Sequence, residues 1–95
     1  MKNNYIRAEI IVKGLVQGVG FRFFVYTKAK ELNLNGYVKN LFDGTVLTIV
    51  EGKKSDIQML FDYLKIGPMY SDVRDIKISW GGFSAEYASF EIRRY

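Results

Sequence analysis

The stretch "GYVKNLFDGTVLTIVEG", residues 36–52, decides the fold. Two runs rich in Val, Ile, Leu and Thr flank Asp43-Gly44, a pair that favours the positive backbone angles of a tight two-residue hairpin. A hairpin in mid-chain needs an apolar partner, and the sequence on either side supplies one. Upstream, Phe21, Phe24, Val25, Ala29 and Leu32 recur at helical spacing, with Lys28, Lys30 and Glu31 on the other side. This helix is expected to stop at Asn33, Asn35 and Gly36. Downstream, Ile57, Leu60, Phe61 and Leu64 form a second apolar stripe. Ser55 with Gln58 three residues later resembles a capping box, and Gly67-Pro68 closes the helix. Beyond the helices, 5–13 alternates Ile6, Ala8, Ile10 and Val12, 73–80 alternates Ile76, Ile78 and Trp80, and 89–95 alternates Phe90 and Ile92. Each reads as a half-buried strand.

The order is β-α-β-β-α-β-β. It predicts an α+β fold, a ferredoxin-like α/β sandwich with two helices on one face of a mostly antiparallel five-stranded sheet. Ninety-five residues suit one domain spanning 1–95. Seven Phe, seven Tyr and one Trp are more aromatic side chains than the helix stripes require, and most are expected in the core.

Composition excludes more chemistry than it suggests. The chain has no Cys and no His, so disulfides, thiol nucleophiles and Cys/His zinc sites are ruled out, as is imidazole acid–base catalysis. Asp43, Asp72 and Asp75 have no recognised calcium spacing, so no metal and no cofactor is expected. The net charge of +4 favours anionic partners without choosing among them. Arg7, Glu9 and Lys13 interrupt the apolar residues near the N-terminus, and no stretch approaches membrane-spanning length. The expectation is a cytoplasmic protein with no membrane partner, acting as a monomer.

One segment breaks the local rules. In "GLVQGVGFRFF", residues 14–24, the first helix begins after Gln17, Gly18, Val19 and Gly20, without a Ser, Thr, Asp or Asn cap. Arg22 then places a cation at the positive end of the helix dipole, which is locally unfavourable. Such breaches fall at functional sites. The glycines could merely form a tight strand-to-helix turn with Arg22 in solvent; the other reading is an anion bound from outside, which resolves the breach. Glycines let the loop turn its N–H groups inward, the helix end adds more, and a guanidinium matches two phosphate oxygens. The expected phosphate-binding residues are Gln17, Gly18, Val19, Gly20, Phe21 and Arg22. The run is not a Walker loop, which needs Gly-Lys-Ser/Thr, nor a dinucleotide fingerprint, which needs glycine where Phe23 stands. Asn40 is the second candidate, because a β-α-β crossover brings the end of its strand to the edge that carries the glycine loop. Its amide could orient a water, or serve the adjacent turn instead.

"VKGLVQGVGFR" (12–22) followed by "GYVKNLFDGTV" (36–46) closely resembles the two signatures of the acylphosphatase family. The resemblance implies metal-free hydrolysis of a small-molecule acyl phosphate to a carboxylate and inorganic phosphate. It implies catalytic roles for Arg22, which would bind phosphate with the loop amides, and for Asn40, which would orient the attacking water. Departures are local: Phe42 stands where many relatives have proline, Lys39 where many have arginine and Leu47 where glutamate is common, and Met69 follows a single proline. The alternative is a non-catalytic phosphate- or RNA-binding ferredoxin-like module. "NGYVKNLF" has a faint likeness to an RNA-recognition strand but lacks its interleaved aromatics, so no nucleic-acid partner is expected.

Overall fold

The computed structural model describes residues 4–94; Tyr95, the last residue of the predicted final strand, lies outside them. The elements are β1 (Tyr5–Leu15), α1 (Phe21–Glu31), β2 (Asn35–Asn40), β3 (Val46–Lys53), α2 (Lys54–Ile66), β4 (Asp72–Gly81) and β5 (Phe90–Arg93). They form one sheet in the order β4-β1-β3-β2-β5. β3 is antiparallel to both β1 and β2, so β1 and β2 run the same way with β3 between them. Each helix therefore crosses over a strand it does not join, the split βαβ arrangement expected from the element order. β4 adds antiparallel to β1, and β5 adds parallel to β2 at the far edge.

Period-2 alternation decides which face is covered. The register aligns Ala8 with Val50, Ile10 with Thr48 and Val12 with Val46, and Val38 also faces Thr48. All these side chains are buried, together with Phe21, Val25, Ala29, Ile57, Leu60 and Leu64 from the helices. The core is aliphatic. Among the described residues only Phe21 and Phe90 of the aromatics are buried, which corrects the expectation that aromatics fill it. Val, Ile, Leu and Ala fill most of the space between sheet and helices, and the rings of Phe24, Tyr26 and Phe61 pack against it while partly exposed. Tyr5 meets Phe83 edge-on, and Tyr37 meets Tyr87 likewise.

The connection 82–89 ties to the sheet through Glu51 of β3. The Glu51 carboxylate, buried at 2% exposure, accepts hydrogen bonds from the Ser84 N–H, the Ser84 hydroxyl and the Glu86 N–H at 2.9, 3.0 and 3.0 Å. Burial pushes its pKa up, but these donors and the nearby Arg7 outweigh burial and hold it below the ordinary 4.5. Arg7 also pairs with Glu86 at 2.7 Å.

Three local expectations change. The hairpin is not a two-residue turn. The Leu41 N–H donates to the Thr45 carbonyl and the Gly44 N–H to the Leu41 carbonyl, so Phe42, Asp43 and Gly44 form a three-residue loop. Gly44 takes its left-handed position at φ 92°. Asp43 accepts from the Thr45 hydroxyl at 2.6 Å and N–H at 3.0 Å, and those bonds hold its carboxyl below the usual range. The first helix ends before Asn35 and Gly36, which belong to β2. Asn33 alone takes the left-handed turn, and the Leu34 N–H returns to the Ala29 carbonyl. Finally, Ser55 does not cap α2. β3 runs directly into the helix, which begins at Lys54, one residue before Ser55, and no side chain caps it. The Lys54 N–H donates instead to the Asn4 carbonyl at 3.1 Å, so tertiary contact replaces the local cap.

Candidate active site

The loop between β1 and α1 and the end of β2 meet at one sheet edge. The cause is the sheet order: Val46, the first residue of β3, pairs with Val12 of β1 on one side and with Asn40, the last residue of β2, on the other. Gln17 fixes this approach. Its side-chain N–H group donates to the Leu41 carbonyl at 2.8 Å and the Thr45 carbonyl at 2.9 Å, tying the glycine loop to the hairpin.

The glycines adopt backbone that other residues avoid. Gly18 and Gly20 have φ of 75° and 78°, in the left-handed region. A Cβ at either position would meet nothing within 4 Å. Conformation, not crowding, therefore selects glycine here, and the loop faces open space. Gly20 is also the N-cap of α1, which has no side-chain cap hydrogen bond and no acidic residue in its first turn. The first amide past the loop with a protein acceptor is that of Phe24, which donates to the Gly20 carbonyl at 3.0 Å. Among the described residues, the N–H groups of 17–23 have no protein acceptor. A row of unmet donors at a helix start is an anion-binding arrangement.

The loop borders a cavity of about 310 Å³ lined by Val16, Gly18, Gly20, Phe21, Arg22, Phe23, Asn40, Ile92 and Arg94. Arg22 is partly buried, and its guanidinium donates to the Arg93 carbonyl at 3.3 Å, so the end of β5 steadies it. The Asn40 side-chain oxygen is buried and has no hydrogen-bond partner among the described residues. Leaving such an acceptor unmet costs about 1–3 kcal/mol. An amide on the cavity wall with an orphaned oxygen is suited to hold a polar molecule there.

Of the residues singled out in the sequence, Gly18, Gly20, Phe21, Arg22 and Asn40 converge on this cavity. Gln17 and Val19 do not line it. Gln17 turns its side chain to the hairpin, and Val19 packs against the core, so only their backbone belongs to the loop. The sequence reading missed the cavity's other wall: Phe23, Ile92 and Arg94. Ile92 and Arg94 come from the far end of the chain, and nothing local marks them, because the parallel β2–β5 pairing brings them in. Among the described residues, no group of three His, Cys, Asp or Glu side chains comes together to hold a metal, and no helix is long and apolar enough to cross a membrane.

Comparisons with known proteins agree with this geometry. The family model described as acylphosphatase matches residues 8–92. A curated acylphosphatase of Methanococcoides burtonii is 47% identical over 87 residues, covering 92% of this chain and 91% of that protein. The crystal structure of acylphosphatase from Bacillus subtilis superposes with a TM-score of 0.89 at 38% identity, covering 93% of this chain and 98% of that one. An acylphosphatase structure from Coxiella burnetii gives 0.91 at 35% identity, covering 97% and 96%.

Proposed function

The chain belongs to the acylphosphatase family and has that family's hydrolase activity, and we propose that the cavity between the glycine loop and Asn40 is where it cleaves acyl phosphates. The observation that carries this reading is the run of unmet backbone N–H groups from 17 to 23 in a loop whose Gly18, Gly20, Phe21 and Arg22 line an open cavity.

The substrate is a carboxyl–phosphate anhydride. Its phosphoryl oxygens accept from the amides of the loop, Gln17 to Arg22, and from the face of Arg22 not used by the Arg93 carbonyl. Asn40 holds a water by its side-chain oxygen, in line with the bond to be broken. The water oxygen bonds to phosphorus, the P–O bond to the acyl group breaks, and its electron pair leaves on the carboxylate. The water's proton passes to a phosphate oxygen, giving a carboxylate and inorganic phosphate. The conjugate acid of the leaving group has a pKa of about 4, so it departs without protonation. No strong general acid is needed, in keeping with a chain that has neither His nor Cys. What remains is positioning and charge stabilisation, the main work in phosphoryl transfer. The enzyme acts as a cytoplasmic monomer on small molecules, without a metal, a cofactor or a nucleic-acid partner.

The test is hydrolysis of benzoyl phosphate by the purified protein in the presence of EDTA. Arg22→Ala lowers kcat/KM by about a hundred- to a thousandfold, the range for a lost transition-state donor. Asn40→Ala lowers kcat while KM stays within about twofold, because the water and not the phosphate is lost. Near-native turnover by either variant, or loss of native turnover with EDTA, defeats the assignment.

A further inference from the structure

The cavity is larger than a phosphoryl group requires, and its unassigned wall is apolar apart from Arg94. At about 310 Å³ it lies at the lower bound of sites that hold whole small molecules, roughly 300 Å³. If the loop and Arg22 take the phosphoryl oxygens and Asn40 the water, the lining that remains is Val16, Phe23, Ile92 and Arg94. Val16 is already buried at 1% exposure and has no surface left to cover. Phe23 is 67% exposed and Ile92 40%.

An in-line displacement sets the water and the leaving oxygen on opposite sides of phosphorus, so the acyl group points away from Asn40. Phe23 lines the same cavity as the loop and Asn40. It follows Arg22 in the first turn of α1, and its ring stacks on Tyr26 with centroids 6.3 Å apart and planes 23° apart. Ile92 lies opposite Val38 on the neighbouring strand, two residues before Asn40. Arg94 adds a second guanidinium, which disfavours a cationic acyl group such as an aminoacyl one.

We propose that Phe23 and Ile92 form the acyl subsite and select acyl phosphates with a bulky apolar body, aromatic or branched, that carries no positive charge. This rests on the placement of phosphate and water given above. Covering exposed apolar surface on both sides supplies the preference. The alanine substitution at Phe23 leaves the phosphate-binding amides of 17–22 in place, so acyl selection separates from phosphate binding.

The experiment measures kcat/KM for benzoyl phosphate and for acetyl phosphate with native protein, Phe23→Ala and Phe23→Leu. The expected result is a benzoyl-to-acetyl ratio that falls about tenfold in Phe23→Ala, at the low end for a lost apolar contact because the shelf is partly open. The loss appears in KM, and Phe23→Leu, apolar and smaller, recovers most of it. An unchanged ratio overturns the proposal, as does an equal loss on both substrates, which would make Phe23 a support of the loop. Failure of the underlying site looks different: Arg22→Ala would then hydrolyse both substrates at the native rate.

Discussion

The two helices of this chain enter from strands in opposite ways. At α2 the strand runs straight into the helix, the first N–H donates to the Asn4 carbonyl, and Asp56 puts a negative charge in the first turn. At α1 a glycine loop intervenes, the first turn has no acidic residue, Arg22 stands there instead, and the amides of 17–23 find no protein acceptor among the described residues. Neither helix has a side-chain cap hydrogen bond. The difference lies in what stands at the end: at α2 the protein's own backbone and a carboxylate do, whereas at α1 no acceptor among the described residues does. The connection 82–89 supplies a third case. There two backbone N–H groups and a hydroxyl converge on Glu51, an internal anion. At Glu51 the converging donors meet an anion that the chain itself supplies; at α1 the described residues supply none.

Making the α1 entrance resemble that of α2 breaks the contrast most sharply. Arg22→Glu places an acidic residue in the first turn and abolishes turnover by more than about a thousandfold, since repulsion of phosphate adds to the lost donor. Without phosphate the same variant is stabilised by about 0.3–1 kcal/mol, the usual gain from a negative charge at a helix start. Denaturant titration beside a benzoyl phosphate assay reads both. A destabilised Arg22→Glu protein would mean that Arg22 serves the fold through the Arg93 carbonyl.

Glu51→Gln tests the internal anion. The amide keeps the shape and loses the charge, weakening three charge-assisted hydrogen bonds, and stability at pH 7 falls by about 1.5–3 kcal/mol. The sign of the pH dependence follows from the direction of the shift. The folded pKa lies below the ordinary 4.5, so the native contribution is complete above that value and is lost as pH falls through the lower folded pKa. The acid limb of a stability-against-pH curve below about pH 4.5 should therefore be shallower in Glu51→Gln than in the native protein. Parallel limbs would assign acid sensitivity to other carboxylates.

The smallest effect is at α2. Asp56→Lys reverses the favourable charge in its first turn and lowers the melting temperature, with a cost of about 0.5–1 kcal/mol. Turnover of benzoyl phosphate stays at the native level, because α2 contributes no residue to the cavity. Loss of activity in step with stability would contradict the division of labour between the two helix entrances.

Much of this was legible in residue order. Alternation at Ile6, Ala8, Ile10 and Val12 and helical spacing at Phe21, Val25 and Ala29 named the buried faces correctly, because strand and helix periods depend on local backbone geometry alone. The glycine loop was readable because positive φ at Gly18 and Gly20 is a local demand that glycine meets. Ser55 misled because a capping motif competes with tertiary contact, and the Asn4 carbonyl reached the helix start first. The aromatic residues misled because composition says which side chains are apolar, not how much of each ring the packed layers cover.

By itself the sequence determined the elements, the unmet helix entrance and the candidate Arg22, all properties of contiguous residues, and element order added Asn40. The tertiary structure decided that Gln17 faces the hairpin, that the Arg93 carbonyl steadies Arg22, and that Phe23, Ile92 and Arg94 complete the cavity. Those contacts join residues more than twenty positions apart, up to 71 for Arg22 and Arg93. They exist only once β3 has set β1 beside β2 and β5 has closed the edge, because strand order is a property of the packed sheet and not of any segment in it.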